Sequence, residues 1–143
     1  MIYAYAAKGI AIPNHIAEEV KQYARNHGLP LTALLQDQAI QTMKWQERNL
    51  LGLLGQMQSG DSLIVYEISD IGCSMKNVAE FLAEAVNKGL MIHFIKYEKI
   101  FYGEKFLPAD ELIDLFRHFE CDFIAHAAVG KQLRRFNKKI KAA

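Results

Sequence analysis

Positions 60–74, Gly-Asp-Ser-Leu-Ile-Val-Tyr-Glu-Ile-Ser-Asp-Ile-Gly-Cys-Ser, restrict the fold more than any other part of the chain. Leu63, Ile64, Val65 and Tyr66 follow a Gly60-Asp61 turn and form an unbroken apolar, β-branched run. Such runs belong to central strands covered on both faces, whereas strands with one wet face alternate. The polar break after it leads through Gly72 into a helical pattern, so the stretch reads as strand, loop, helix. In parallel α/β sheets ligands gather beyond the carboxyl ends of the strands, which places the candidate site on residues 68–74.

The flanking chain repeats the pattern. Residues 2–7 read as an opening strand, and Pro13-Asn14 starts a helix whose buried face is Ile16, Val20, Tyr23 and Ala24, stopped at Gly28-Leu29-Pro30. A weaker strand over 31–37 and one helix over 42–58 precede the central strand. A helix over 75–87, capped by Gly89, and a strand over 90–95 follow it. Strands alternating with helices predict an α/β fold, a mainly parallel sheet of four or five strands with flanking helices. Residues 96–106 read as an irregular aromatic stretch, in which Tyr97, Phe101, Tyr102 and Phe106 either cover the sheet or form a partner-binding patch.

From Pro108 onward, Leu112, Leu115, Phe116, Phe119, Phe123, Ala127, Leu133, Phe136 and Ile140 recur at helical spacing, with Gly130 as an interruption. A helix over 107–141 would extend on the order of 45 Å at 1.5 Å per residue, more than a small domain can cover. Part of its apolar stripe is therefore expected to meet another chain, with Phe116, Phe119, Phe123 and Ala127 as the dimer interface. At 143 residues and 51% hydrophobic content, one domain with one core is expected, residues 1–106 forming the α/β core.

A net charge of +1 excludes a chain that binds nucleic acid by its overall field. The charge is nevertheless uneven. Lys131, Arg134, Arg135, Lys138, Lys139 and Lys141 cluster near the end, and they read either as a solvated helix end or as phosphate contacts without sequence preference. Cys73 and Cys121 lack metal or disulfide spacing, and the five histidines show no metal pattern, so no metal and no cofactor are expected. No leader and no membrane span is visible, which predicts a cytoplasmic protein.

The 60–74 stretch resembles the segment of serine recombinases (resolvases and DNA invertases) written G-D-x-L-x-V-x-x-L-D-R-L-G-R-S. Gly60, Asp61, Leu63, Val65, Ile68, Ile71, Gly72 and Ser74 fit without a gap. The resemblance extends to the whole layout, and it implies a resolvase-like catalytic domain with a long dimerisation helix, forming a homodimer or tetramer. The helix-turn-helix that follows in that family is expected to be absent.

The departures fall on the residues that the resemblance implies for catalysis. Tyr5, Ala6, Ala7, Lys8 and Gly9 stand where the family has Y-A-R-V-S, so the nucleophile position is Gly9 and an arginine position is Ala7. Ser69, Asp70 and Cys73 stand at an aspartate and two arginines, while Cys121 and Ala127 fall at further arginines of the long helix. With one residue deleted nearby, Arg48 corresponds to the arginine before the second helix in the resemblance, so at most this one of the set survives. Cleavage of a phosphodiester needs a nucleophile and fixed cations for the charge that builds on phosphate. The expectation is therefore a protein that is not an enzyme, an inactive accessory or regulatory module with weak non-specific DNA contact through Arg134, Arg135, Lys138, Lys139 and Lys141, or a partner of active recombinases. Two alternatives stay open. One is an active recombinase with unusual residues, for which Ser69, Cys73 and Ser74 are the candidate nucleophiles beside Lys8, and the other is a protein-interaction scaffold.

Overall fold

A computed structural model describes residues 1–7, 15–38, 42–102 and 116–121. Its sheet has five strands: β1 (Ile2–Ala7), β2 (Ala33–Asp37), β3 (Ser62–Val65), β4 (Met91–Phe94) and β5 (Lys99–Tyr102). Their order across the sheet is β2-β1-β3-β4-β5. The first four run parallel, with Ala7 beside Asp37, Ala4 beside Ile64 and Leu63 beside Ile92. The fifth is antiparallel, pairing Phe94 with Lys99 and Met91 with Tyr102. This is the expected α/β class, with β3 at the centre of the sheet.

Successive β3 side chains take opposite faces, which explains its continuous apolar run. Leu63 and Val65 enter the larger core with Tyr5, Trp45, Leu50, Val78, Phe81, Ile92 and Phe94. Ile64 joins Ala4, Val20 and Ala24 on the other face. Helix α1 (His15–Asn26) supplies Val20 and Ala24 to that smaller core, while α2 (Leu50–Gln56) and α3 (Met75–Lys88) cover the larger one. Ser74 starts α3 by accepting a hydrogen bond on Oγ from the Asn77 amide at 3.1 Å. Gly89 ends it at a φ of 72°, a left-handed cap that glycine adopts without steric cost. Lys88 Nζ reaches Leu54 O at 2.5 Å and Met57 O at 3.1 Å, tying the ends of α3 and α2 together.

Apart from other shifts of one or two residues at element ends, the boundaries differ from the sequence expectations in these places. The helix over 42–58 is broken into a 3-10 turn, Trp45–Glu47, and α2, because Arg48 and Asn49 turn out of the helix to bond elsewhere. The second strand begins at Ala33 rather than position 31. Part of the aromatic stretch is β5, and Tyr97 and Phe101 pack on the larger core, the covering use of these aromatics.

Helical residues 116–121 bring a correction to the dimer interface. Phe119 is fully buried within its own subunit, its ring 5.2 Å from that of Phe94 and 5.4 Å from that of Tyr97. Its side chain belongs to the intrachain core and is not available to a partner. Phe116 is half-buried against the same core. Phe123, Ala127 and the rest of the expected long helix lie outside the described residues.

Candidate active site at the carboxyl edge of the sheet

From β1 the chain moves to β2 on one side and to β3 and β4 on the other, so the strand order reverses between β1 and β3. Crevices at such switch points are the usual sites of α/β sheets. The loop after β3 closes over this point as a 3-10 turn, Ile68–Asp70. Asp70 is 1% exposed, and its Oδ1 accepts from the Ala7 amide at 3.1 Å while its Oδ2 accepts from the Glu67 amide at 2.9 Å. The carboxyl thus joins the end of β1 to the loop of β3. Burial pushes its pKa up to about 7 against the pull of those two amides, and Glu67 adds to the rise.

Arg48 lies beneath the same loop, 4% exposed. Its Nη1 donates to Ser69 O at 2.6 Å and to Asp70 O at 3.0 Å, and its Nε donates to Met43 O at 3.1 Å. Desolvation lowers its pKa, which Tyr5 and Asp70 offset in part. Ser69 Oγ donates to Glu67 Oε1 at 2.8 Å, and Lys96 Nζ meets Glu67 Oε2 at 2.9 Å. On the neighbouring strand Asp37 Oδ2 accepts from Tyr5 Oη and from the Asn49 amide, both at 2.7 Å. Asn49 Nδ2 donates to the other oxygen of Asp37 at 3.0 Å. Burial and the Asp37 bond raise the Tyr5 pKa, so this phenol remains a donor.

Chemically, the edge offers a half-buried hydroxyl on a carboxylate (Ser69 on Glu67), a lysine on the same carboxylate and a buried guanidinium. Cys73, half-buried before α3, and Ser74, whose oxygen caps that helix, are the other nucleophilic atoms at this edge. Ala7, Arg48, Ser69, Asp70 and Cys73 all lie at this edge of the sheet. Cys121 is exposed on helical residues 116–121. Gly9, Ala127 and the basic residues 131–141 lie outside the described residues. Among the described residues no group of histidine, cysteine and carboxylate side chains could hold a metal ion, and no helix is long and apolar enough to cross a membrane.

Glu67, Lys96, Asp37 and Asn49 were not anticipated at this edge. Apart from Ser69 on Glu67, the side-chain partners described above for them lie 12 to 32 residues away, as in Asp37 with Asn49 and Tyr5, and only the polar ending of β2 at Asp37 hints at them.

The sequence over residues 8–138 matches the family described as Resolvase, N terminal domain. The chain belongs to that family. Two solved structures share the fold. The N-terminal catalytic domain of TP901-1 integrase superposes with a TM-score of 0.56 at 10% identity, over 96% of this chain and 99% of that one. The C-terminal catalytic domain of ISC1926 TnpA, an IS607-like serine recombinase, gives 0.52 at 13% identity, over the whole of both chains. No curated protein sequence matches the chain.

This resolvase membership overturns the expectation that the chain is not an enzyme. Its family is that of resolvase N-terminal domains, the two neighbours named are the catalytic domains of an integrase and of a serine recombinase, and no observation shows inactivity. The carboxyl edge itself holds hydroxyl, thiol and cationic groups, on Ser69, Cys73, Arg48 and Lys96.

Proposed function

We propose that this resolvase-like chain works in site-specific DNA recombination as an oligomeric, DNA-associated module that assists or regulates strand exchange. The observation that carries the reading is the polar cluster of Arg48, Glu67, Ser69 and Asp70 at the β1–β3 switch point, within a recombinase catalytic fold that spans nearly the whole chain. Arg48 and Lys96 are engaged there with carbonyls and a carboxylate of their own subunit. Phosphate contact along the duplex then falls to Arg134, Arg135, Lys138, Lys139 and Lys141, which bind without reading sequence. Assembly through Phe116, Phe123 and Ala127 would give a homodimer or tetramer and double the number of these cations. A recombinase of the same fold is a second partner that such a surface fits.

Sedimentation at tens of micromolar, alone and with a labelled duplex, tests both halves of the proposal. A dimer or larger species that carries duplex at low salt is the expected result. A clean monomer would remove the assembly half. An oligomer that leaves the duplex free at low salt would favour a protein-interaction scaffold.

A further inference from the structure

On the face of the sheet opposite the larger core, His93 of β4 lies under α1. It is 5% exposed, and its Nδ1 is 3.0 Å from the Tyr23 hydroxyl. Its Nε2 is wholly enclosed and has no hydrogen-bond partner among the described residues. The Tyr23 ring meets His93 edge-on at 5.8 Å and stacks on His27 at 4.0 Å, so two imidazoles flank one phenol. Here α1 packs Val20 and Ala24 against Ala4 and Ile64, with Tyr23, Leu29 and Leu34 at the margin, and it also buries Ile16 and Ala17.

We infer that His93, Tyr23 and His27 form an acid-sensitive latch that holds α1 on the sheet while His93 is neutral and loosens it when His93 is protonated. The groups facing His93 account for the direction. From α1 comes Tyr23 and from the turn after it His27, while Glu18, Glu19 and Arg25 lie on the exposed side of α1. Its neighbour on β3 is Ile64, and its neighbour on β5 is Ile100. Lys99 pairs with Phe94 and so takes the opposite face. No carboxylate among these groups compensates an imidazolium, and His27 opposes it by like charge. Both effects lower the His93 pKa, burial the more strongly.

A proton on His93 places a buried cation under a helix held mainly by small or branched side chains, Ile16, Ala17, Val20 and Ala24. The fold can relieve this by letting α1 lift, which returns the imidazolium to water. The His93 pKa is depressed in the folded state, so the latch is closed above the ordinary imidazole value. It opens as pH falls through that value toward the lower folded one.

Hydrogen exchange of the α1 amides, followed by mass spectrometry from pH 7.5 to 5.0 and corrected for the intrinsic rate, tests this on the full chain. Exchange in residues 16–26 should rise at least threefold relative to the α3 amides as pH falls. His93→Gln, which keeps a partner for Tyr23 but does not titrate, should abolish most of that rise. His27→Gln, at an exposed position where folding is not at stake, should reduce it. Proton NMR titration of the His93 ring in the unmodified protein gives an independent reading, expected below the ordinary imidazole value. Uniform exchange in α1 and α3 across the range, a rise that survives His27→Gln undiminished, or an imidazole titrating at its ordinary value would each overturn the latch.

Discussion

Arg48 donates from Nη1 to the carbonyl oxygen of Ser69 at 2.6 Å, so the guanidinium grips the backbone of the loop that follows the central strand. The same nitrogen holds Asp70 O, and Nε holds Met43 O. Three carbonyls in a buried setting depend on this one side chain. Arg48→Ala should cost roughly 3 kcal/mol, the scale for removing charged hydrogen bonds from a buried site. Arg48→Lys should recover only part of it, since an ammonium cannot reproduce the planar fork. Urea unfolding of the three proteins gives the comparison, and a loss below 1 kcal/mol for alanine would show that the loop does not lean on Arg48.

Asp70 makes stability depend on pH in an unusual direction. Its folded pKa, about 7, lies above the ordinary carboxylate value of 3.8, so the folded state holds a proton that the unfolded chain releases. The contribution to stability is full below the ordinary value and declines as pH rises toward 7, where it levels off. Asp70→Asn should flatten the curve between pH 4 and 7. Chemical denaturation at half-unit steps checks this, and a variant curve parallel to that of the unmodified protein would contradict it.

Gly72 is pressed by Asn77, whose Oδ1 accepts from the Trp45 amide at 2.9 Å and from the Cys73 amide at 3.3 Å. A methyl group at position 72 would overlap that oxygen and crowd Val78. Gly72→Ala should therefore destabilise by about 1–3 kcal/mol through displacement of Asn77. Asn77→Ala should cost a similar amount by leaving two amides unpaired, and the double variant should cost less than the sum. Thermal unfolding of the set provides the test, and strict additivity would show that the two sites do not share a partner.

Phe119 anchors helical residues 116–121 in the aromatic group of Phe94 and Tyr97, with His118 stacked on Tyr97 at 5.5 Å. Phe119→Ala should cost about 3–5 kcal/mol, the range for emptying a buried phenylalanine site, without shifting the protein concentration at which oligomers form. Phe123→Ala should do the reverse. Paired unfolding and sedimentation experiments separate the two, and an assembly defect confined to Phe119→Ala would undo the assignment.

What could be read in the sequence follows a physical divide. The central strand was plain because both of its faces are buried, and such a run has few other uses. Strand β5 escaped because its hairpin, residues 95–98, contains no glycine, proline or asparagine, and Glu98 itself takes the positive φ of 53°. The break at Arg48 was hidden within a leucine-rich pattern, since what interrupts the helix is a carbonyl of Ser69, 21 residues away. The loop 68–74 could be placed at the carboxyl edge of the sheet from strand polarity alone. Its internal pairing could not, because Asp70 finds its partner amide 63 residues back, at Ala7.

Association with DNA is the centre of this account, and the most direct measurement is fluorescence anisotropy of a labelled duplex across a salt series. Unmodified protein should bind with micromolar affinity at low salt, and affinity should fall steeply as salt rises. Replacing Arg134, Arg135, Lys138 and Lys139 together by alanine should weaken binding and reduce the slope of log affinity against log salt by about 0.9 for each phosphate that is no longer neutralised. Scrambled duplexes should bind as well as any other. No binding at low salt, or a salt slope left unchanged by the four alanines, would contradict the account.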